Sequence, residues 1–111
     1  MKLLAVALLI VAPRPALTVT YWPHGRGAPA IVWTLGCAPA AGTHPVRGRS
    51  CLALRANAID LGPATKPCTI LARVGAPEAQ ITGMWKGKRV DRSFRSGCPG
   101  WNDLHLVLTG S

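Results

Sequence analysis

Apolar and β-branched residues are gathered in short runs, broken by glycine and proline, and most runs have the length of a strand rather than a helix. Residues 16–22 (ALTVTYW) form the first β-rich run. Pro23, His24, Gly25, Arg26 and Gly27 then supply a turn. Residues 30–35 (AIVWTL) form a second run, read as antiparallel to the first. Residues 37–45 (CAPAAGTHP) read as loop. Ser50 is a suitable N-cap for a helix over 51–61, with Leu52, Ala56 and Ile59 on one face and Arg55 and Asp60 elsewhere. Gly62-Pro63 stops that helix. Residues 79–84 and 88–94 read as strands joined through Trp85, Lys86 and Gly87. Residues 97–103 (GCPGWND) read as a turn, and 104–108 (LHLVL) as a last strand with His105 facing solvent. The run CTIL at 68–71 fits a buried strand and an exposed apolar loop equally well on periodicity.

The N-terminus follows another pattern. Met1-Lys2 is a short basic start, and residues 3–12 are an unbroken apolar run. Such a run is far short of the ~20 residues that span a bilayer, so no stable membrane span is expected. It has the length of a secretory signal core, roughly 7–15 residues. Pro13 and Pro15 crowd the junction, which places cleavage between Ala12 and Ala16. The reading is a signal peptide over 1–15 and one domain over 16–111, secreted to the extracellular space.

Cysteine usage agrees with export. The 111 residues include four cysteines, at 37, 51, 68 and 98. None of the intervals has the spacing of a zinc knuckle or a thioredoxin-type motif, so no metal or cofactor is expected. An even count in a short exported chain points to two disulfides, with three connectivities open. For a domain of this size such bonds are a large part of the stability.

Charge is one-sided: 13 Lys and Arg oppose 4 acids, for a net charge of +9. Lys86, Lys88, Arg89, Arg92 and Arg95 are the dense cluster. A basic surface can bind anionic polymers or surfaces. With one Tyr and one Phe an aromatic stacking platform is poorly supplied, and no nucleic-acid partner is expected. Nothing marks an active site. The acids Asp60, Glu78, Asp91 and Asp103 are scattered, no serine lies in a nucleophile-elbow motif, and His24, His44 and His105 read as turn or surface residues. The chain is therefore read as a non-enzyme.

Two segments and the order of the cysteines carry a resemblance. CAPAAGTHP at 37–45 and GMWKGKRV at 83–90, with Cys51 opening the helix, Cys68 before an apolar stretch, and Phe94 and Cys98 following, resemble the Streptomyces-type subtilisin inhibitor family. The likeness covers about residues 16–108. It implies an α+β fold: a five-stranded antiparallel sheet with one or two helices on one face. It implies disulfides Cys37–Cys51 and Cys68–Cys98, a homodimer, and inhibition of a serine protease. Subtilisin-like enzymes are the first expectation, and trypsin- or elastase-like enzymes remain open.

The resemblance also implies a reactive bond between Ile70 and Leu71, in a contact loop of Cys68, Thr69, Ala72 and Arg73. An extended segment adds to a protease cleft through main-chain hydrogen bonds. A loop already held in the bound shape loses less entropy on binding. After cleavage the two ends stay on one core, so religation competes with hydrolysis. The departures are specific. Ile70 is β-branched where unbranched side chains are usual, and a branched Cβ fits poorly at the neck of a primary specificity pocket. The stretch from Cys68 to Gly83 is about two residues long for the pattern, and Lys88 to Cys98 about two short. A shifted register would move the bond to Arg73–Val74. The rival reading is a secreted cationic protein that has the inhibitor fold and binds anionic polymers or surfaces.

Overall fold

Alternation along the first strand sets the architecture. In β1, Leu17–Trp22, Leu17 and Val19 point to one side and are buried, while Thr18 and Thr20 point to the other. In the computed structural model, which describes residues 16–56, 59–62, 68 and 74–109, β1 is the middle of a five-stranded antiparallel sheet. β2 is Ile31–Cys37, β3 Ala40–Ala41, β4 Glu78–Trp85 and β5 Lys88–Arg95, and the order is β3-β2-β1-β4-β5. Register follows the buried side: Leu17 opposite Leu35, and Val19 opposite Ile81. The β4–β5 turn is Lys86-Gly87, with φ of 51° and 79°. Positive φ at both centres suits the twist of a two-residue hairpin.

Two helices cover the buried side. α1 is Arg47–Arg55 and α2 is Trp101–Leu108. Leu54 from α1 and Leu104, Val107 and Leu108 from α2 join Leu17, Val19, Leu35, Ile81, Val90 and Phe94 in one core cluster. Cys37–Cys51 ties the end of β2 to α1 across a separation of 14 residues, and Cys68–Cys98 spans 30. The other sheet face, carrying Thr18, Thr20, Val32, Gln80 and Thr82, has no layer on it among the described residues.

The four long strands lie where the pattern puts them, within two residues at each end. Both helices require corrections. α1 begins four residues before the position expected from Ser50. Its N-cap is Val46, without a side-chain cap, and Ser50 lies inside the helix. The buried side is Ser50, Cys51 and Leu54, whereas Leu52 is exposed. The expected strand over 104–108 is helix α2. Trp101, Leu104 and Val107 recur at helical spacing, and a reading that starts at Leu104 sees only the alternation of three leucines. His105 does face solvent, but from a helix.

The loop 37–45 holds the short strand β3, and its GTHP stretch is a lock. Thr43 and Thr34 exchange two bonds: the Thr34 N–H donates to Thr43 Oγ1 at 2.9 Å, and the Thr43 N–H to Thr34 Oγ1 at 3.0 Å. His44, expected at the surface, is wholly buried. Its Nδ1 accepts from the Val46 N–H at 3.2 Å, and its ring lies 4.9 Å from that of Trp33. Burial lowers its pKa from 6.5, against a smaller raising effect of its hydrogen bond with the Val107 backbone.

Candidate functional site

The segment from Cys68 to Val74 is described only at its two ends. Cys68 is bonded to Cys98, with their Cα atoms 5.2 Å apart. Cys98 sits in the turn that follows β5. Its N–H donates to the Arg95 carbonyl at 3.0 Å, and its own carbonyl accepts from the Trp101 N–H at 3.2 Å. The staple therefore rests on the turn between the edge strand β5 and the start of α2, whose first residue, Trp101, is buried. Val74 is fully exposed. Between them, Thr69, Ile70, Leu71, Ala72 and Arg73 lie outside the described residues.

Beyond Val74 the chain is braced against the β1–β2 turn. Gly25 packs so closely on Gly75 that a Cβ at Gly25 would lie 3.1 Å from the Gly75 Cα. The Ser96 N–H donates to the Pro77 carbonyl at 3.1 Å, which joins this stretch to the end of β5. Glu78 pairs with Arg26, Nε to Oε1 at 3.2 Å, and the Arg26 guanidinium lies 4.3 Å over the Trp22 ring. The pair is partly exposed, so it contributes modestly, and its geometry matters more than its energy. An apolar stretch whose ends are held by a disulfide and a packed turn can offer its backbone to a cleft.

The sequence model of the subtilisin inhibitor-like family matches residues 16–98. The chain belongs to this family. "Subtilisin inhibitor" of Streptomyces albogriseolus is 33% identical, covering 80% of this chain and 74% of that protein. "Probable subtilase-type protease inhibitor" of Streptomyces avermitilis is 33% identical, covering 76% of this chain and 65% of that protein. Among solved structures, Streptomyces caespitosus sermetstatin in complex with Bacillus licheniformis subtilisin has 27% identity and a TM-score of 0.51, covering 72% of this chain and 80% of that one. These relatives are named as inhibitors, not as enzymes.

The subtilisin inhibitor-like pattern now has physical content. The implied pairings Cys37–Cys51 and Cys68–Cys98 are both formed. The CAPAAGTHP run is the β2–β3 turn and the Thr34–Thr43 lock, and GMWKGKRV is the tip of the β4–β5 hairpin. The motif glycine Gly83 has φ of 129°, and a Cβ there would sit 2.1 Å from the Ala16 carbonyl oxygen. The Met84 N–H donates to that same oxygen at 2.9 Å. Of the basic cluster, Lys86, Lys88 and Arg89 are exposed at the hairpin tip. Arg92 instead turns to the core side, a placement the sequence reading missed. The signal was available: Val90, Arg92 and Phe94 share the parity of the buried face.

Proposed function

We propose that this chain inhibits a serine endopeptidase, with subtilisin-like enzymes first, by presenting residues 69–73 as a substrate-like loop. One observation carries the reading: on the scaffold of a subtilisin inhibitor-like protein, the apolar stretch after Cys68 is stapled through Cys98 to the end of β5 and emerges at a fully exposed Val74. A solved relative is in complex with subtilisin, which supports the choice of partner. Ile70–Leu71 is the reactive bond in this reading, with Thr69, Ala72 and Arg73 as contacts; Arg73–Val74 is the alternative. Residues 1–15 direct secretion, and the domain follows from residue 16. The face with Thr18, Thr20, Val32 and Thr82, uncovered among the described residues, supports a homodimer.

The test is titration of subtilisin, elastase and trypsin with the oxidised protein, followed by N-terminal sequencing of any nicked product. Stoichiometric inhibition with a new terminus at Leu71 is the expected result, and a terminus at Val74 moves the bond. Absence of inhibition at micromolar protein overturns the reading. Salt-sensitive retention on heparin would then favour the cationic binder.

A further inference from the structure

We propose that Arg92 is a positioning residue for the inhibitory loop, and that its guanidinium decides whether the loop inhibits a protease or is digested by it. The inference rests on the inhibitor reading above. Arg92 pairs with Ile81 in the β4–β5 ladder, which places it on the core side of β5 between the buried Val90 and Phe94. A cation at such a position breaks the alternation of apolar residues. It needs partners, because burying an unmatched charge is costly.

Its partners are backbone carbonyls on the chain that leads into the loop. Nη1 donates to the Asp60 carbonyl at 3.0 Å and to the Gly62 carbonyl at 3.1 Å. The Asp60 carboxylate is engaged elsewhere: its Oδ1 accepts from the Gly62 N–H at 2.8 Å. Arg92 therefore reads the shape of residues 60–62, and not the charge of Asp60. Shape is imposed on the guanidinium as well. It lies 4.9 Å over the Phe94 ring, and a Cβ at Gly100 would come within 3.4 Å of Nη2. Nε is buried without a hydrogen-bond partner, so the side chain is held here at some cost.

The placement gives the loop a second point of attachment. Cys68 fixes the chain at one covalent joint, and a single joint does not by itself orient the segment before it. Arg92 fixes that segment at Gly62, from the strand that runs into the Cys98 turn. Both bonds leave one nitrogen, Nη1, whose two hydrogens lie in the guanidinium plane, so the carbonyls are held in that plane, whereas the hydrogens of an ammonium share no fixed plane. Loss of the clamp costs preorganisation. The Cys68–Cys98 bond still keeps the cleaved end on the core, so what is lost is the orientation in which religation competes with hydrolysis.

The experiment compares the wild-type protein with Arg92→Met and Arg92→Lys. The readouts are the inhibition constant for subtilisin, the rate at which intact inhibitor is nicked in the complex, and thermal unfolding. Assays run at a temperature where all three are folded. Expected is a weakening of inhibition and an acceleration of nicking, each about tenfold, in Arg92→Met. Arg92→Lys should recover part of both, including where its melting temperature falls as far as that of Arg92→Met. Unchanged nicking and inhibition in Arg92→Met, with the wild-type protein inhibiting, overturn the proposal alone. Equal losses in both variants that track melting temperature also overturn it, by making the role structural. No inhibition by the wild-type protein overturns the inhibitor reading, and this proposal with it. Should Arg92→Met not fold, Arg92→Lys against wild type decides by the same readouts.

Discussion

The Ser50 hydroxyl donates to the backbone carbonyl of Val107 at 2.5 Å, and both residues are completely buried. This bond joins α1 to α2 across a contact otherwise made by apolar side chains. Removal of the hydroxyl takes one buried hydrogen bond from that carbonyl, at about 1–2 kcal/mol. Ser50→Ala should therefore lower the melting temperature by roughly 4–8 °C per kcal/mol lost. Its stoichiometry against a protease should be unchanged, because the bond involves neither the Cys68–Cys98 disulfide nor the turn that carries Cys98. Differential scanning calorimetry beside an inhibition titration checks both halves.

His44 makes stability pH-dependent near neutrality. Its folded pKa lies below the unfolded value of 6.5, chiefly because burial disfavours the charged ring. Above 6.5 the ring is neutral in both states and contributes no slope. Below 6.5 the unfolded chain takes up a proton that the folded chain refuses, so stability falls as pH drops toward the folded pKa. The slope cannot exceed about 1.4 kcal/mol per pH unit for one proton. Urea unfolding between about pH 7.5 and 5.5 should show this decline, and His44→Gln should lack it. A wild-type profile that is flat across that window would show His44 charged in the fold.

The strands were legible because their buried side is apolar and alternating, as at Leu17 and Val19 and at Ala79 and Ile81, although Arg92 breaks the pattern between Val90 and Phe94 in β5. The helices were not, for different reasons. α1 reads RGRSCLALR, and two of its three buried residues are a serine and a disulfide cysteine, so hydrophobic periodicity points to the wrong face. α2 is plain once Trp101 is included, but the Cys98-Pro99-Gly100 turn hides its start. His44 could not be placed locally, because Trp33 and Val107, which enclose it, are far away in sequence. The tether of the candidate loop was legible through the family pattern, while the Arg92 clamp depends on residues 60–62 reaching β5.

Cys68–Cys98 should matter to function more than its energy suggests. A bond across 30 residues contributes on the order of 3–4 kcal/mol in the chain-entropy model. Replacement of both cysteines by serine should lower stability by that amount, measured by denaturant unfolding. At temperatures where the variant stays folded, it should also be cut as a substrate. Retained inhibition without nicking in the folded variant would show that the loop does not need its staple.

Side-chain shape at Ile70 sets the target in the proposed register. Ile70→Met removes the branch at Cβ and should improve subtilisin inhibition by about 1–3 kcal/mol. Ile70→Lys should create trypsin inhibition with the nick still before Leu71. Arg73→Ala removes a contact and should weaken inhibition only modestly, leaving the nick before Leu71. Inhibition constants for the three variants distinguish the registers, because a bond at Arg73–Val74 predicts the opposite: no gain at residue 70, and loss of trypsin inhibition in Arg73→Ala.

Gly83 is a position where one methyl group should do severe damage. Its φ of 129° is a conformation that side chains rarely adopt, and a Cβ would stand 2.1 Å from the Ala16 oxygen. The obstacle is backbone, and the same oxygen accepts the Met84 N–H at 2.9 Å. Relief requires β1 and β4 to part at Leu17, which faces Gly83 in the ladder and is buried in the core. Gly83→Ala should cost more than about 2 kcal/mol, well above the penalty of an alanine at an ordinary strand glycine. Gly87→Ala is the control. It also has positive φ, at 79°, but a Cβ there meets nothing within 4 Å, so only the conformational cost of about 1 kcal/mol applies. Equal melting temperatures for the two variants would show that the contact with Ala16 is not what fixes glycine at 83.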